Sequence, residues 1–182
     1  MDTRKLLESL TVIHASNRDL QDIVELEMAI FQKTDQFARS NFRYLLSSPN
    51  AATFICYHRG APIGYGMALK NRLRGGRIKG RIYSLGVLPE WRRKGIGELL
   101  LAKLEEWLLE FRASFITLET RYPGSSWVFF KINGYSITEK LPGCYVGADG
   151  VRMRKTCDLQ TGRDRSKVGY SKREKLANGK RK

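Results

Sequence analysis

One segment of the sequence combines residue types that could bind an anion. Residues 85–97 read Leu-Gly-Val-Leu-Pro-Glu-Trp-Arg-Arg-Lys-Gly-Ile-Gly, an apolar strand followed by a basic turn and the start of a helix. The first backbone N–H groups of a helix lack partners within it and carry the positive end of the helix dipole, so they attract anions. Gly95 and Gly97 have no Cβ to obstruct a ligand, and Arg92, Arg93 and Lys94 add positive charge. The segment therefore predicts a site for a group such as a pyrophosphate.

The residues after this turn have the periodicity of an amphipathic helix. Apolar residues recur on one helical face, at Leu100, Leu104, Trp107, Leu108 and Phe111. The opposite face is charged, with Glu98, Lys103, Glu105, Glu106 and Glu110. We expect a helix from Ile96 to Phe111. The glycine spacing differs from a dinucleotide-binding fingerprint, and the Gly-Lys-Ser/Thr ending of a nucleotide P-loop is absent.

Three segments resemble the GNAT superfamily of N-acetyltransferases. Arg92-x-x-Gly95-x-Gly97 resembles its acyl-CoA signature, Arg/Gln-x-x-Gly-x-Gly/Ala. Residues 116–121, Ile-Thr-Leu-Glu-Thr-Arg, resemble its next strand, and residues 129–135 resemble its Leu-Tyr-x-x-x-Gly-Phe/Tyr segment. The resemblance covers residues 11–155. Among subgroups it is nearest to the ribosomal-protein alanine N-terminal acetyltransferases, in which the strand typically reads Leu-Glu-Val-Arg.

The resemblance implies a fold and a co-substrate. The fold is α+β, a mixed and mostly antiparallel sheet of six to seven strands with helices on both faces, splayed at the motif strand. The co-substrate is acetyl-CoA, without a metal. Its thioester is implied to contact the backbone N–H groups of the motif strand, at Leu85, Gly86 and Val87. Its pyrophosphate is implied to lie at the turn and helix start, on Arg92, Arg93, Lys94, Gly95, Ile96, Gly97 and Glu98.

The resemblance also implies that Glu119 is the general base, acting through water. The alternative is that Glu119 only forms an ion pair with Arg121 or with a residue of the basic segment before the motif strand. Phe130 stands where the family places its general-acid tyrosine, so the proton must come from elsewhere. The candidates are Tyr145, Tyr122 and Tyr135, or the thiolate leaves with help from the helix dipole and solvent. Tyr145 is favoured, because Pro142-Gly143-Cys144-Tyr145 resembles the substrate-side loop.

Other residues that could do chemistry are weaker candidates. Some branches of the superfamily place a glutamate base near position 84, where this chain has Ser84. His14 and His58 are interpreted as strand-end residues. Cys144 lacks a local histidine partner, which favours direct transfer from CoA to the amine.

Alternation and turn residues predict the remaining elements. Helices are expected after an N-cap at Ser16 or Asn17, from Phe37 to Leu46, and from Ser125 to Ile132, where Asn133-Gly134 stops the last one. Strands are expected at residues 11–14, 53–57, 63–69, 82–88, 114–120, 135–139 and 151–155. Together they predict a GNAT domain over residues 1–155 and a basic, disordered tail over residues 156–182.

The net charge of +15 is concentrated in two segments. Residues 70–81, expected to be a loop, hold six basic residues and no acid, and residues 163–182 hold nine basic and two acidic ones. These segments are interpreted as solubilising charge, as a non-specific contact with RNA or the ribosome, or as a dock for an acidic protein.

The number and spacing of the cysteines indicate the expected cellular compartment. Three widely separated cysteines, Cys56, Cys144 and Cys157, favour reduced thiols in a cytoplasmic protein over disulfides or a zinc site. No signal peptide or membrane span is expected.

The combined expectation is an N-acetyltransferase that transfers acetyl from acetyl-CoA to a primary amine, with a protein or peptide α-amine as the expected acceptor. Acetylation of a small amine or of a lysine side chain is the first alternative. The second is a module that binds acyl-CoA or RNA without catalysis, which the phenylalanine at position 130 would explain.

Overall fold

The computed structural model describes Leu6 and residues 8–157, which form a seven-stranded sheet with helices on both faces. The strands are β1 (Leu10–His14), β2 (Ala51–His58), β3 (Ala61–Arg72), β4 (Ile78–Val87), β5 (Ala113–Tyr122), β6 (Ser136–Tyr145) and β7 (Ala148–Thr156). Their spatial order is β1-β2-β3-β4-β5-β7-β6. Every neighbouring pair is antiparallel except β4 and β5, which are parallel. The predicted fold class is confirmed.

The helices divide between the two faces of the sheet. They are α1 (Leu20–Ile30), α2 (Arg39–Leu46), α3 (Ile96–Glu110) and α4 (Ser125–Ile132). The helices α1 and α2 bury Ile23, Leu26 and Phe42 against β2 and β3 on the first face. On the second face α3 and α4 bury Leu104, Leu108 and Phe130 against β4, β5 and β7. No helix within the described residues is long and apolar enough to cross a membrane.

Most predicted elements are present with small shifts at their ends. Ser16 caps a short 3₁₀ turn that leads into α1, and its side chain and that of Asp19 form a capping box. Asn133 ends α4, and Gly134 follows with a positive φ of 89°. The tail predicted after residue 155 lies outside the described residues from residue 158 onward, whereas β7 continues to Thr156.

The basic segment at residues 70–81 is a β-hairpin, so its prediction as a loop is wrong. The strand β3 continues to Arg72, β4 begins at Ile78, and Arg72 pairs with Ile78. The hairpin is held by packing on α3, because a Cβ on Gly80 would lie 2.7 Å from Leu108 Cδ1, and Lys70 Nζ lies 3.2 Å from the centroid of Phe111. Charge alone suggested a loop, but apolar contacts under alternate residues stabilise strands.

One extra residue in β4 bends the sheet where the motif strand begins. Met67 pairs with Ser84 and Ala68 pairs with Ile82, so Tyr83 has no partner residue on β3. This is a β-bulge, and it turns Tyr83 and Ser84 to the same face. The Tyr83 ring stacks on Phe37 at 4.6 Å between centroids, while the Ser84 hydroxyl lies 2.7 Å from the hydroxyl of Tyr65.

A buried carboxyl links this bulge to α1. Glu27 is 1% exposed; Tyr65 donates its hydroxyl hydrogen to Glu27 Oε2, and Phe37 N–H donates to Oε1 at 2.8 Å. Burial raises the pKa of Glu27, although the bonds from Tyr65 and Phe37 oppose the shift. The hydroxyl of Tyr65 therefore joins Glu27 on α1 to Ser84 on the bulged strand.

We expect Tyr65→Phe to lower the free energy of unfolding by about 1–3 kcal/mol, because it leaves a buried carboxyl oxygen and the Ser84 hydroxyl without this partner. Urea denaturation measures the change. The control is Tyr44→Phe, which removes the same hydroxyl from a side chain that is 74% exposed. Equal effects of the two variants would contradict a stabilising role for the buried chain.

Candidate active site

The parallel strands β4 and β5 separate partway along their length. Their pairing runs from Ile78 with Ala113 to Arg81 with Thr117 and ends there. Beyond this point β4 continues to Val87 and β5 to Tyr122. The predicted splay at the motif strand is therefore present, and it leaves a gap between the two strands.

The register of β3 and β4 shows which amides of the motif strand face the gap. Leu88 N–H donates to the carbonyl of Ile63 on β3 at 3.0 Å. Because hydrogen-bonded and non-hydrogen-bonded pairs alternate along an antiparallel ladder, the N–H groups of every second residue before Leu88 also point to β3. Gly86 therefore directs its N–H towards Tyr65 on β3, while the amides of Leu85 and Val87 point into the gap. Of the three predicted donors, Leu85 and Val87 direct their amides into the gap and Gly86 directs its amide to β3.

Gly86 has a packing role instead. A Cβ at this position would lie 2.8 Å from Ile30 Cγ2 and 3.0 Å from Phe31 Cε2. The missing side chain lets the end of α1 lie directly on the motif strand.

The turn before α3 presents further backbone donors. Gly95 precedes the helix with φ 83°, in the left-handed region that glycine adopts without strain. Leu99 N–H donates to the carbonyl of Gly95 at 3.0 Å, so the amides of Ile96, Gly97 and Glu98 come before the first intrahelical bond. These are donors of the kind that bind phosphate at a helix start.

Two of the three basic side chains in this turn bond to the turn itself. Arg92 Nε donates to the carbonyl of Val87 at 3.0 Å, and Lys94 Nζ donates to the carbonyl of Glu90 at 2.8 Å. Arg93 is exposed and has φ 59°. The turn is thus cross-linked by its own cations, and their charge adds to the field at the helix start.

Glu119 lies across the gap, held between two arginines. Its Oε2 accepts from Arg81 Nη2 at 3.1 Å, and its Oε1 accepts from Arg152 Nε at 3.1 Å and Nη2 at 2.9 Å. The side chain is 31% exposed. A carboxylate has about four acceptor positions, so these three bonds leave one for water or an amine.

The partner of Glu119 was foreseen in part. Arg81 belongs to the basic segment that the sequence offered as one source of a partner. Arg121 does not pair with Glu119; it forms two bonds of 2.8 Å with Asp35 in the loop after α1.

Arg121 also connects this loop to the turn between β6 and β7. Its guanidinium carbon lies 4.9 Å from the ring centroid of Tyr145, and Nη1 donates to the carbonyl of Val146 at 3.4 Å. Burial, followed by the charges of Cys144, Glu119 and Asp35, raises the pKa of Tyr145 to about 12. The hydroxyl of Tyr145 is therefore protonated at neutral pH.

Of the other predicted proton donors, Tyr122 lies near Tyr145 and Tyr135 lies elsewhere. Tyr135 is buried under α3 and donates to Glu105 at 2.9 Å, while Tyr122 packs on Trp127. Phe130 is buried in the core beneath α3 and α4. The surroundings of Tyr145 include Glu119 and Arg121.

An open groove of about 630 Å³ lies beside Tyr145, at the carboxyl end of β5. It is lined by Tyr122, Pro123, Gly143, Tyr145, Gly147, Ala148 and Asp149. Cys144 precedes Tyr145 and is exposed; partial desolvation and the charges of Glu119 and Asp149 raise the pKa of its thiol, which disfavours a thiolate nucleophile.

His14 and His58 are the last residues of β1 and β2, as expected, and each packs on an aromatic ring, Phe54 and Trp91 respectively. Within the described residues no three His, Cys, Asp or Glu side chains are grouped to hold a metal ion.

The sequence did not point to Asp35 or Arg152 as parts of this site, and it indicated Arg81 only as one residue of the basic segment. The alternation of Arg152 and Arg154 on one face of β7 was an available signal for Arg152. Asp35 lies in an irregular loop, where no periodicity indicates which way a side chain points.

A mixed sheet with a gap beside a bulged strand, and a helix start at the end of that strand, defines an acyltransferase architecture, and the sequence comparison agrees. The sequence model of the Acetyltransferase (GNAT) family matches residues 20–135. The chain belongs to this family, and it is an enzyme of the N-acetyltransferase class. The resemblance found in the motifs is confirmed.

One relative matches part of the chain in sequence. An uncharacterized N-acetyltransferase of Methanocaldococcus jannaschii is 26% identical over 116 residues, covering 59% of this chain and 51% of the relative. The chain thus spans about half the length of that relative.

Two solved structures share the fold. The ribosomal-protein-S18-alanine N-acetyltransferase of Escherichia coli superposes with a TM-score of 0.68 and 15% identity, over 81% of this chain and 93% of that one. Arabidopsis thaliana Naa50, in complex with the bisubstrate analogue CoA-Ac-MVNAL, superposes with a TM-score of 0.72 and 19% identity, over 82% of this chain and 99% of that one.

We expect Asp35→Asn to increase amide hydrogen exchange in the loop after α1 and in the β6–β7 turn together, because both are held by Arg121. Exchange measured by mass spectrometry over peptides from these two segments tests the link. Glu106→Gln is the control, since it removes an exposed ion pair with Lys103. Unchanged exchange in the β6–β7 turn of Asp35→Asn would show that the two segments are not coupled.

Proposed function

We propose that the protein transfers the acetyl group of acetyl-CoA to the α-amine of a protein or peptide. The observation that carries this proposal is the gap between β4 and β5, with the amides of Leu85 and Val87 on one side and the Glu119 carboxylate on the other. A thioester lying along β4 would meet donors on its oxygen side and a base on the side from which an amine approaches.

The residues fit acetyl-CoA at two places. The amides of Leu85 and Val87 are directed at the gap and would hold the thioester end, while the amides of Ile96, Gly97 and Glu98 would hold the diphosphate. When bound, acetyl-CoA supplies the acetyl group as a thioester that an amine can attack. Backbone donors aimed at the acyl oxygen stabilise the charge that develops there, and single donors of this kind contribute roughly 3–4 kcal/mol in other enzymes.

Glu119 and Tyr145 fill the two proton roles. Glu119 accepts a proton from the amine, directly or through one water, at the acceptor position that the arginines leave open. Arg81 and Arg152 fix the orientation of the carboxylate. Tyr145 keeps its proton at neutral pH and donates it to the departing sulfur, in place of the tyrosine that Phe130 replaces.

The groove favours an acceptor with an extended chain. It is open at the carboxyl end of β5, between the Asp35 loop and the β6–β7 turn. On the face next to Glu119 the side chains of Arg81 and Arg152 are also 42% and 38% exposed, so residues that follow an α-amine have room on either side of Glu119. The bound analogue in the Arabidopsis structure joins CoA to a peptide. Free thiol release with peptides, polyamines and lysine derivatives as acceptors tests this choice against the small-amine and lysine alternatives.

Two further expectations stay predictions. Contact of the basic tail with RNA or the ribosome concerns residues 158–182, which lie outside the described residues. A cytoplasmic location rests on cysteine usage.

We expect acetyl-CoA at about 100 times its Kd to stabilise the fold by about 2.7 kcal/mol, a rise in Tm of roughly 5–10 °C. Gly97→Glu should abolish the rise in Tm, because the introduced carboxylate would lie among the amides that would hold the diphosphate. Gly95→Glu gives a second test of the same turn.

The control for these variants is Ala102→Glu, which adds the same charge at an exposed position farther along α3. Circular dichroism of each free variant verifies folding, since a Cβ on Gly97 would lie 3.3 Å from Phe129. If both variants fold and acetyl-CoA still raises their Tm fully, the helix start is not part of the acetyl-CoA site.

We expect Glu119→Gln to lower kcat about 100-fold or more while the acetyl-CoA shift in Tm persists, because a carboxamide cannot accept the proton. The matched control is Glu139→Gln, since Glu139 also pairs with Arg152 but lies outside the gap. Equal losses in the two variants would assign Glu119 an ion-pairing role only, and normal turnover of Glu119→Gln would remove it as the base.

A further inference from the structure

The face of the sheet that carries Glu119 continues beyond the gap as a basic surface. The helices α1 and α2 pack on β2, β3 and β4 of this face. On β5 and β7, and at the first residues of β4, the same face carries exposed or half-buried charged side chains. We define the basic face by Lys79, Arg81, Arg152 and Arg154.

The register places these cations in rows next to the candidate base. Glu119 pairs with Arg152 across β5 and β7. In the next row Arg81 of β4, Thr117 of β5 and Arg154 of β7 are neighbours, and Lys79 lies beside Phe115 in the row after that. Rows on one face are separated by two residues, roughly 6.6 Å. A peptide that runs from Glu119 towards the amino end of β5 would pass these rows within its first few residues.

The charges of this surface are only partly compensated. Arg81 and Arg152 share Glu119, and Arg152 also contacts Glu139. Neither Lys79 nor Arg154 has a carboxylate within 4.0 Å among the described residues. The basic face therefore has more positive than negative charge where an acceptor would lie.

Arg154 is the clearest unmatched group. Its guanidinium carbon lies 3.9 Å from the ring centroid of Phe115, and its Nε is buried with no hydrogen-bond acceptor in the described part of the chain. A buried donor without a partner is unfavourable, and guanidinium groups bind carboxylates with paired hydrogen bonds. The guanidinium of Arg154 thus lies on a ring, and no carboxylate of the described residues neutralises its charge.

We infer that the acceptor is a peptide with acidic side chains at about its second to fourth residues, which bind Lys79 and Arg154 while the amine lies at Glu119. This inference rests on the proposed function and specifies its substrate class. Acidic protein is favoured over single-stranded nucleic acid, because the rings on this face are already covered: Phe115 by Arg154 and Tyr83 by Phe37.

The test compares three peptides that share an N-terminal alanine and differ at residues two to four, which are acidic, glutamine or lysine. The acidic peptide should exceed the glutamine peptide about tenfold in kcat/KM, mostly through KM, and the difference should shrink at higher salt. Fluorescence anisotropy of the same peptides, labelled at the carboxyl end, measures binding without turnover.

Arg154→Gln and Lys79→Gln should remove most of this preference while turnover of the glutamine peptide stays unchanged. Lys140→Gln is the matched control, because Lys140 pairs with Val151 and so lies on the opposite face of the sheet. The control should keep the full preference.

The outcomes separate the inference from the function on which it rests. Equal kcat/KM and binding for the acidic and glutamine peptides would overturn the inference and leave peptide acetylation standing. Turnover of small amines or lysine derivatives without any peptide turnover would overturn both. Binding of duplex RNA that depends on Lys79 and Arg154, without a preference among peptides, would assign the surface to nucleic acid and overturn the inference.

Discussion

The bulge at Tyr83 and the end of the β4–β5 pairing at Arg81 are the constraint on which the rest depends. A backbone N–H inside a sheet normally has a partner, and an unpaired one is costly to bury. The separation of β4 from β5 leaves the amides of Leu85 and Val87 facing open space beside the start of α3. The bulge itself is held from behind by the Glu27–Tyr65–Ser84 chain and by the contact of Gly86 with the end of α1. Packing of α1 on one face of the sheet thus keeps the amides of Leu85 and Val87 exposed to a ligand in the plane of the sheet.

The second determinant of the candidate site is the distribution of charge on the face of the sheet that carries Glu119. Arg121 is neutralised by Asp35 and joins two loops, whereas Arg81 and Arg152 share one carboxylate. The hairpin that supplies Lys79 and Arg81 is the segment whose charge stood out in the sequence. In the fold, Gly80 of this hairpin packs under α3, and the residues on either side of it, Lys79 and Arg81, lie on the face that carries Glu119.

The sequence predicted the fold class, the order of elements and the motif turn, because hydrophobic periodicity and glycine placement are local properties. It failed at residues 70–81, where pairing with β3 and packing on α3 outweigh local charge. The sequence grouped Leu85, Gly86 and Val87 as donors. In the β3–β4 ladder the N–H of Gly86 points to β3, whereas those of Leu85 and Val87 point away from it. The contact of Asp35 with Arg121 joins residues 86 positions apart and could not be read from either segment alone.

Backbone hydrogen exchange at residues 85–87, followed by NMR with and without CoA, tests the central claim most directly. In the free protein the amide of Gly86 should be protected by its bond to β3, while those of Leu85 and Val87 exchange rapidly. CoA should then protect Leu85 and Val87 and leave Gly86 almost unchanged. Protection of all three amides in the free protein, or no added protection of Leu85 and Val87 when CoA is bound, would contradict the account.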